Sequence, residues 1–337
     1  MTAELVRDPS AIVADGVRHR IDTLLAGFID SHPLPVAEPG VEDGFRLLRE
    51  FVVDGGKRIR PLLCYWGWRG AGGDAEGRRA VMAGAAIELY HAGLLIHDDI
   101  MDGSDLRRGR PTLHRELGVA SAILLGVLSQ AWADELLSEA TGDPHVRELF
   151  QQLKTEVISG QYLDILAHPG EDRARLIIRY KTAKYTVERP LQIGGALAGA
   201  DAATLAAYSR FGVPLGEAFQ LRDDVLGVFG DPAVTGKPVL DDLREGKQTV
   251  LVAQTRANAS QAQLHLLDSG LGNQGLTPEQ ADGLRQIIVD TGALAGVEAA
   301  IELLLGTALD ELDRATIHPE AHQALTHIAD RLARRAS

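Results

Sequence analysis

Apolar residues recur three and four apart along most of the chain, over Val81–Asp102, Ser121–Ala140, Val146–Leu166, Ala202–Val228 and Leu284–Asp313. That spacing lines them up on one side of a 3.6-residue turn, and the Ala, Leu and Glu between them favour the helix. The last segment is expected to break at Thr291-Gly292. No stretch alternates convincingly as a strand. Breaks fall where Gly, Pro and Asp gather, at 70–77, 141–144, 168–172, 230–238 and 269–280. In the last of these, Thr277 before Pro278 and Glu279 reads as a helix N-cap with proline at the first position. None of the breaks is long enough for an interdomain linker. The expectation is one all-α domain over residues 1–337, with 1–15 a loose N-terminal segment.

Length and composition narrow the class. The 337 residues are 45% hydrophobic, enough for a large core. A formal net charge of −13 argues against a nucleic-acid surface, which needs a broad basic face. The single cysteine, Cys64, rules out an internal disulfide framework and reads as a small buried hydrophobe. The first twenty residues mix charges without an apolar core, so no signal peptide and a cytoplasmic location are expected. The uncharged run Leu117–Ala133 falls short of a membrane span and reads as a buried helix.

Against this acidic background one stretch is unusual. IHDDIMDGSDLRRGRP, residues 96–111, crowds Asp98, Asp99, Asp102 and Asp105 ahead of Arg107, Arg108 and Arg110. Asp98 and Asp102 are four apart, so they share a helix face at its C-terminal end, where the helix dipole disfavours carboxylates. Bound cations explain that placement better than stability does, and all-oxygen donors suit magnesium. A second acidic group, Gln220, Asp223 and Asp224, lies near the end of another predicted helix. Basic residues are clustered too: Lys57 and Arg60 in GGKRIRP, Lys181 and Lys184 in YKTAKYT, then Lys237 and Lys247. Arginine forks and lysine charges together make a diphosphate receptor. There is no GxxxxGK[ST] motif and no Ser-His-Asp constellation. His97 beside Asp98, with His91, is the start of a metal phosphohydrolase pattern that lacks further histidine ligands.

In this order the motifs resemble the trans-isoprenyl diphosphate synthases, the polyprenyl synthetase family: GGKRIRP at 55–61, His91, DDIMD at 98–102 with LRRGRPTLH, YKTAKYT at 180–186, FQLRDD at 219–224 and GDPAVTGK at 230–237. The resemblance implies a single large helical bundle of isoprenoid synthase type around a central cavity, and a homodimer. It implies that Asp98 and Asp102, supported by Asp99, hold Mg²⁺ on the diphosphate of an allylic substrate, and that Asp223, supported by Asp224, holds a further Mg²⁺. It assigns Arg107, Lys181 and Lys237 to the same diphosphate, with Lys247 near it. It assigns Lys57, Arg60, His91 and Arg108 to the diphosphate of isopentenyl diphosphate, and Thr182 and Gln220 to shielding the allylic cation.

The chain departs from the family pattern twice. The second acidic motif has Gly227 where relatives often carry a fifth-position aspartate, and Val127 stands where many have aspartate, with only a local packing change expected. For product length, Gly93 and Leu94, five and four residues before Asp98, carry no aromatic, whereas Tyr90 is eight before. Moving a block from 93 to 90 deepens a groove by about 4.5 Å, roughly one isoprene unit. A twenty-carbon product, geranylgeranyl diphosphate, is therefore expected, with farnesyl or longer polyprenyl chains as alternatives and a class I terpene cyclase further behind. A noncatalytic subunit would have lost aspartates that this chain keeps.

Overall fold

The computed structural model describes residues 9–54, 56–166, 168–230 and 241–334. The chain folds into two compact units, each built from three separate stretches of sequence: Met1–Phe150, Pro190–Leu205 and Thr316–Leu325, and Gln151–Arg189, Ala206–Ala315 and Thr326–Ser337. Both are helical.

In the first unit, helices α1 (Pro9–Asp30), α2 (Pro39–Val53), α3 (Ile59–Gly70), α4 (Arg78–Met101), α5 (Leu113–Leu117) and α6 (Val119–Ala140) precede α7 (Pro144–Ile165), whose first residues belong here. Residues 9–15, expected loose, are the opening turns of α1. α4 is apolar around its whole circumference because α1, α2, α3, α5 and α6 all pack on it. Ile87, Leu89 and Tyr90 are at most 2% exposed. Each such aliphatic side chain contributes about 1.5–3 kcal/mol by burial. Gly93 sets how closely α6 approaches: a Cβ there would stand 2.6 Å from the Gly126 carbonyl oxygen. Cys64 is fully buried, as expected.

α6 departs from the expectation of a buried helix. One face packs on α4, with the Ser129 hydroxyl donating to the Leu89 carbonyl at 2.7 Å. The other face is open and apolar, with Leu124 69% and Val127 52% exposed. Val127 therefore meets solvent rather than adjusting local packing. Both α4 and α6 are long and apolar enough to cross a membrane, but α4 is occupied as the core helix of this unit.

The first unit also takes nearly all of α9 (Arg189–Leu197) and the start of the last helix, Pro319–Ala333; the second contains the remainder of α7, α8 (Glu171–Ile177), a π-helical segment (Ile178–Glu188), most of α10 (Ala202–Phe229) and the helices between it and Ala315. Eleven residues of π-helix are rare, and such turns concentrate at functional sites. Glycines let its backbone pack tightly: a Cβ on Gly160 of α7 would meet the Lys181 nitrogen at 2.4 Å, and one on Gly216 of α10 the Ala183 Cα at 2.4 Å. The expected break stands at Gly292, in left-handed conformation between Pro278–Asp290 and Ala293–Asp313. Thr277 caps as expected, its hydroxyl accepting from the Gln280 N–H at 3.3 Å while the Gln280 side chain answers at 3.0 Å.

Candidate active site

The end of α4 carries the first acidic group. Asp98 is half-buried and Asp102 exposed, one turn apart on one face. Asp99 turns inward, 1% exposed, and both its oxygens are taken by Arg107, with Nε at 2.7 and 2.8 Å and Nη2 at 2.6 Å. Arg107 reaches back because residues 106–111 form a small antiparallel ribbon, Leu106 opposite Pro111 and Arg107 opposite Arg110. Its turn needs Arg108 and Gly109 at positive φ, 54° and 76°. Thr112 fastens the base of the ribbon, its hydroxyl donating to the Ser104 carbonyl at 2.8 Å. The ribbon is a small departure from the expectation of no strand.

Burial lifts the Asp99 carboxyl above its ordinary range, and the Arg107 guanidinium only partly offsets that. A cation could take Asp99 only in competition with this buried ion pair, which also holds Arg107 in place. Asp98 and Asp102 are the other two carboxylates of this end.

Arg58, which the motif reading passed over, organises the loop before α3. It is 4% exposed and adopts left-handed backbone, φ 48°. Its guanidinium donates to Glu88 at 2.7 Å, to Asp22 at 2.8 Å and to the carbonyls of Val52 and Val53 at 2.8 and 3.1 Å. Those bonds offset the strain of the backbone and fix the loop on which Lys57 and Arg60 ride. Arg108 donates to the Asp54 carbonyl at 2.9 Å and lies 5.8 Å from the Phe51 ring centroid. Burial first, then the charges of Arg60, Arg107 and Arg108, hold His91 well below its usual range, so its imidazole is neutral. These motifs, scattered over fifty residues, therefore share one electrostatic neighbourhood. His97 is not part of it: its ring lies against Gly126, and its Nε2 is 3.2 Å from the Ile123 carbonyl. That removes the phosphohydrolase pattern.

In the second unit, Thr182 of the π-helical segment donates to the Gln220 carbonyl oxygen at 2.7 Å, and the Gln220 amide donates to Asp224 at 2.8 Å. The chain fixes Gln220's orientation from both ends. Burial pushes the Asp224 carboxyl up to about 7, opposed by Gln220 and reinforced by the charges of Asp242 and Asp223. Asp224 is thus a buried prop for α10's end, while Asp223 is half-buried beside it. Lys181 pairs with Asp164 at 2.7 Å and Lys184 with Glu156 and Glu188, both at 2.9 Å. Lys247 pairs with Asp242 at 2.6 Å and Glu245 at 2.8 Å. Asp164, Glu156 and Asp242 had no motif to announce them. Lys237 lies outside the described residues, as do Asp231 and most of GDPAVTGK.

Among the residues expected to set product length, Tyr90 is 2% exposed and rests edge-on against Phe150, ring centroids 6.0 Å apart. Its hydroxyl is buried with no hydrogen-bond partner among the described residues. Leu94 is half-buried, and Gly93 is accounted for by the close approach of α6.

Residues 45–288 match the profile of the polyprenyl synthetase family. A geranylgeranyl diphosphate synthase of Saccharolobus solfataricus is 36% identical over 262 residues, 74% of this chain and 78% of the relative. A (2E,6E)-farnesyl diphosphate synthase of Mycobacterium tuberculosis is 31% identical over 336 residues, 94% of this chain and 92% of the relative. The crystal structure of a geranylgeranyl pyrophosphate synthase from Corynebacterium glutamicum, complexed with isoprenyl diphosphate and magnesium, superposes with a TM-score of 0.88 at 37% identity, covering 96% of this chain and 99% of that one. Motif order, helical fold and shared sequence converge: the chain belongs to the polyprenyl synthetase family, the trans-isoprenyl diphosphate synthases.

Proposed function

We propose that the protein condenses isopentenyl diphosphate with an allylic diphosphate and releases geranylgeranyl diphosphate. The observation that carries this reading is the end of α4, where Asp98 and Asp102 share a face beside an arginine held in place by a buried aspartate. The donor set fits Mg²⁺, since Asp98 and Asp102, and Asp223 at the end of α10, offer carboxylate oxygens, the donors this cation takes alongside water and phosphate oxygens. Bound Mg²⁺ would neutralise the diphosphate as its carbon–oxygen bond breaks.

The chain's own residues do the rest. Arg107, locked on Asp99, presents its charge without having to be reordered as the leaving group gains charge, which is how preorganised electrostatics lowers a barrier. Lys181 and Lys247, with Lys237, bring further positive charge to the allylic diphosphate. Lys57, Arg60 and Arg108, with neutral His91 as a hydrogen-bonding group, receive isopentenyl diphosphate. Thr182 and Gln220 turn dipoles toward the developing cation. The departing diphosphate takes the final proton, so the reading needs no protein base.

Tyr90, braced by Phe150, is the floor that stops growth at twenty carbons, with Leu94 lining the way to it. Gly93 contributes by carrying no side chain. The open face of α6, with Leu124 and Val127, supports a homodimer, because monomers rarely leave a long apolar helix face in water. A cytoplasmic location belongs to the same reading.

The test is incubation with isopentenyl diphosphate and dimethylallyl, geranyl or farnesyl diphosphate, with and without Mg²⁺, and product lengths read by mass spectrometry. Mg²⁺-dependent elongation ending at twenty carbons is expected. No elongation from any primer would overturn the reading, and arrest at fifteen carbons would make it a farnesyl synthase.

A further inference from the structure

Among the described residues, Arg58 and Arg108 are the non-glycine positions at positive φ, 48° and 54°. Left-handed backbone is strained for a bulky side chain and persists only where the surroundings enforce it. Both side chains run to one place, the C-terminal end of α2. Arg58 Nη2 donates to the carbonyls of Val52 and Val53 at 2.8 and 3.1 Å, and Arg108 Nη1 to the next one, Asp54, at 2.9 Å. Those carbonyls carry the negative end of the helix dipole. Gly56 shows how near the two guanidinium groups come. A Cβ built on it would lie 3.4 Å from Arg108 Nη2, 3.6 Å from Arg58 Nη1 and 3.6 Å from Glu88 Oε1. Two cations and one carboxylate therefore surround a residue that has no side chain.

Arg58 alone does not account for Glu88. Asp22 already meets Arg58 at 2.8 Å, so one carboxylate matches its charge. Glu88 is the buried member of the two, its side chain 5% exposed against 42% for Asp22. Its Oε1 accepts from Arg58 at 2.7 Å, and its Oε2 is buried with no hydrogen-bond partner among the described residues. A buried carboxylate with an unused oxygen is unfavourable unless its charge is needed. Counting Arg108 closes the balance, two guanidinium groups against Asp22 and Glu88. The Asp54 side chain does not enter it, being engaged by Arg110 at 3.0 Å.

We propose that Glu88 is a positioning residue for isopentenyl diphosphate: its charge holds Arg108 beside Arg58, so that two like charges share the end of α2 and Arg108 faces the incoming diphosphate. Without that charge the two guanidinium groups repel at close range, and Arg108 leaves its place. The effect falls on one substrate, because Arg107, given to the allylic diphosphate, is held separately by Asp99. The inference rests on the proposed function, which gives Arg108 to isopentenyl diphosphate.

The test is steady-state kinetics of the full chain with Mg²⁺, varying isopentenyl diphosphate against fixed geranyl diphosphate and then the reverse, with circular dichroism as the folding control. Glu88→Gln keeps the shape and removes the charge. It should raise KM for isopentenyl diphosphate about tenfold, the scale of losing a charge-assisted hydrogen bond. KM for geranyl diphosphate should stay within about twofold of the parent. Arg108→Met should raise the same KM as Glu88→Gln does, and in its background Glu88→Gln should add less than about twofold, because residues that act through each other are not additive. If Glu88→Gln does not fold, Glu88→Asp keeps the charge but withdraws it, and should raise KM for isopentenyl diphosphate about threefold. Both KM values rising together, or the Glu88→Gln and Arg108→Met effects multiplying, would show a merely structural role. Either result overturns the inference and leaves the proposed function standing, as does a parental KM for isopentenyl diphosphate in the folded Glu88 variant. If Arg108→Met itself keeps the parental KM, the assignment of Arg108 falls and the inference with it.

Discussion

At the end of α4 a buried aspartate meets an arginine; at the end of α10 a buried aspartate meets an amide. Asp99 is neutralised by Arg107 from eight residues away, through a ribbon that folds the chain straight back. Asp224 has the Gln220 amide, itself oriented by Thr182 from another segment, and its carboxyl is pushed up to about 7. The two ends look alike in sequence but solve burial differently. Burial raises both carboxyls; at Asp99 a guanidinium partly offsets it, while at Asp224 a neutral amide is the largest offset. The α4 end therefore keeps a fixed guanidinium, the one the proposed function assigns to the leaving group. The α10 end is built of hydrogen-bonded dipoles, those of Thr182 and Gln220.

If that contrast is right, removing the partner should hurt α4's end most. Arg107→Met strands a buried carboxylate, and a loss of about 3–5 kcal/mol in urea unfolding is expected, as for a broken buried ion pair. A loss below about 1 kcal/mol would mean that solvent reaches Asp99. Next comes Asp98→Ala, which should lower kcat/KM by about 10²–10³ or more, the scale of deleting a group that stabilises transition-state charge. Its circular dichroism without Mg²⁺ should match the parent's, so that the loss is one of activity and not of fold. Full activity in this variant would sink the role assigned to the α4 face.

Gln220→Leu sharpens the contrast from the other side. It removes a neutral donor, so about 1–3 kcal/mol of stability should go, less than for Arg107→Met. Equal losses would erase the distinction. Close packing is common to both ends, so Gly93→Ala and Gly216→Ala should each cost about 1–3 kcal/mol by overpacking, read as a lower denaturation midpoint. The smallest stability effect is at Tyr90. Tyr90→Phe deletes an unpartnered buried hydroxyl and should change stability by less than about 1 kcal/mol. Tyr90→Ala, by contrast, should lengthen the product by about one isoprene unit, and an unchanged length would remove Tyr90 from the floor.

Much of this was legible in the chain. The three- and four-residue spacing marked the long helices within a few residues, because one buried face per turn leaves a period that survives without the fold. The Thr277 cap and the Gly292 break were legible because capping is decided within four residues. What stayed hidden depends on partners far along the chain. The π-helical turns at Ile178–Glu188 follow from glycines on α7 and α10 that admit the thicker backbone, and nothing within the segment signals them. The division into two units left no linker to find, since each unit gathers three distant stretches.

Sequence alone determined the helical class, the inventory of acids and bases and their order, because periodicity, charge and local spacing are properties of neighbours. Tertiary structure decided which of those charges are spent inside the protein. It put Arg107 on Asp99, Arg58 under the loop of Lys57 and Arg60, and Asp242 in the gap at Gly227. The reason is that burial is set by what packs on a residue, and burial decides whether a carboxylate must find a partner in the chain or can keep its oxygens for a cation.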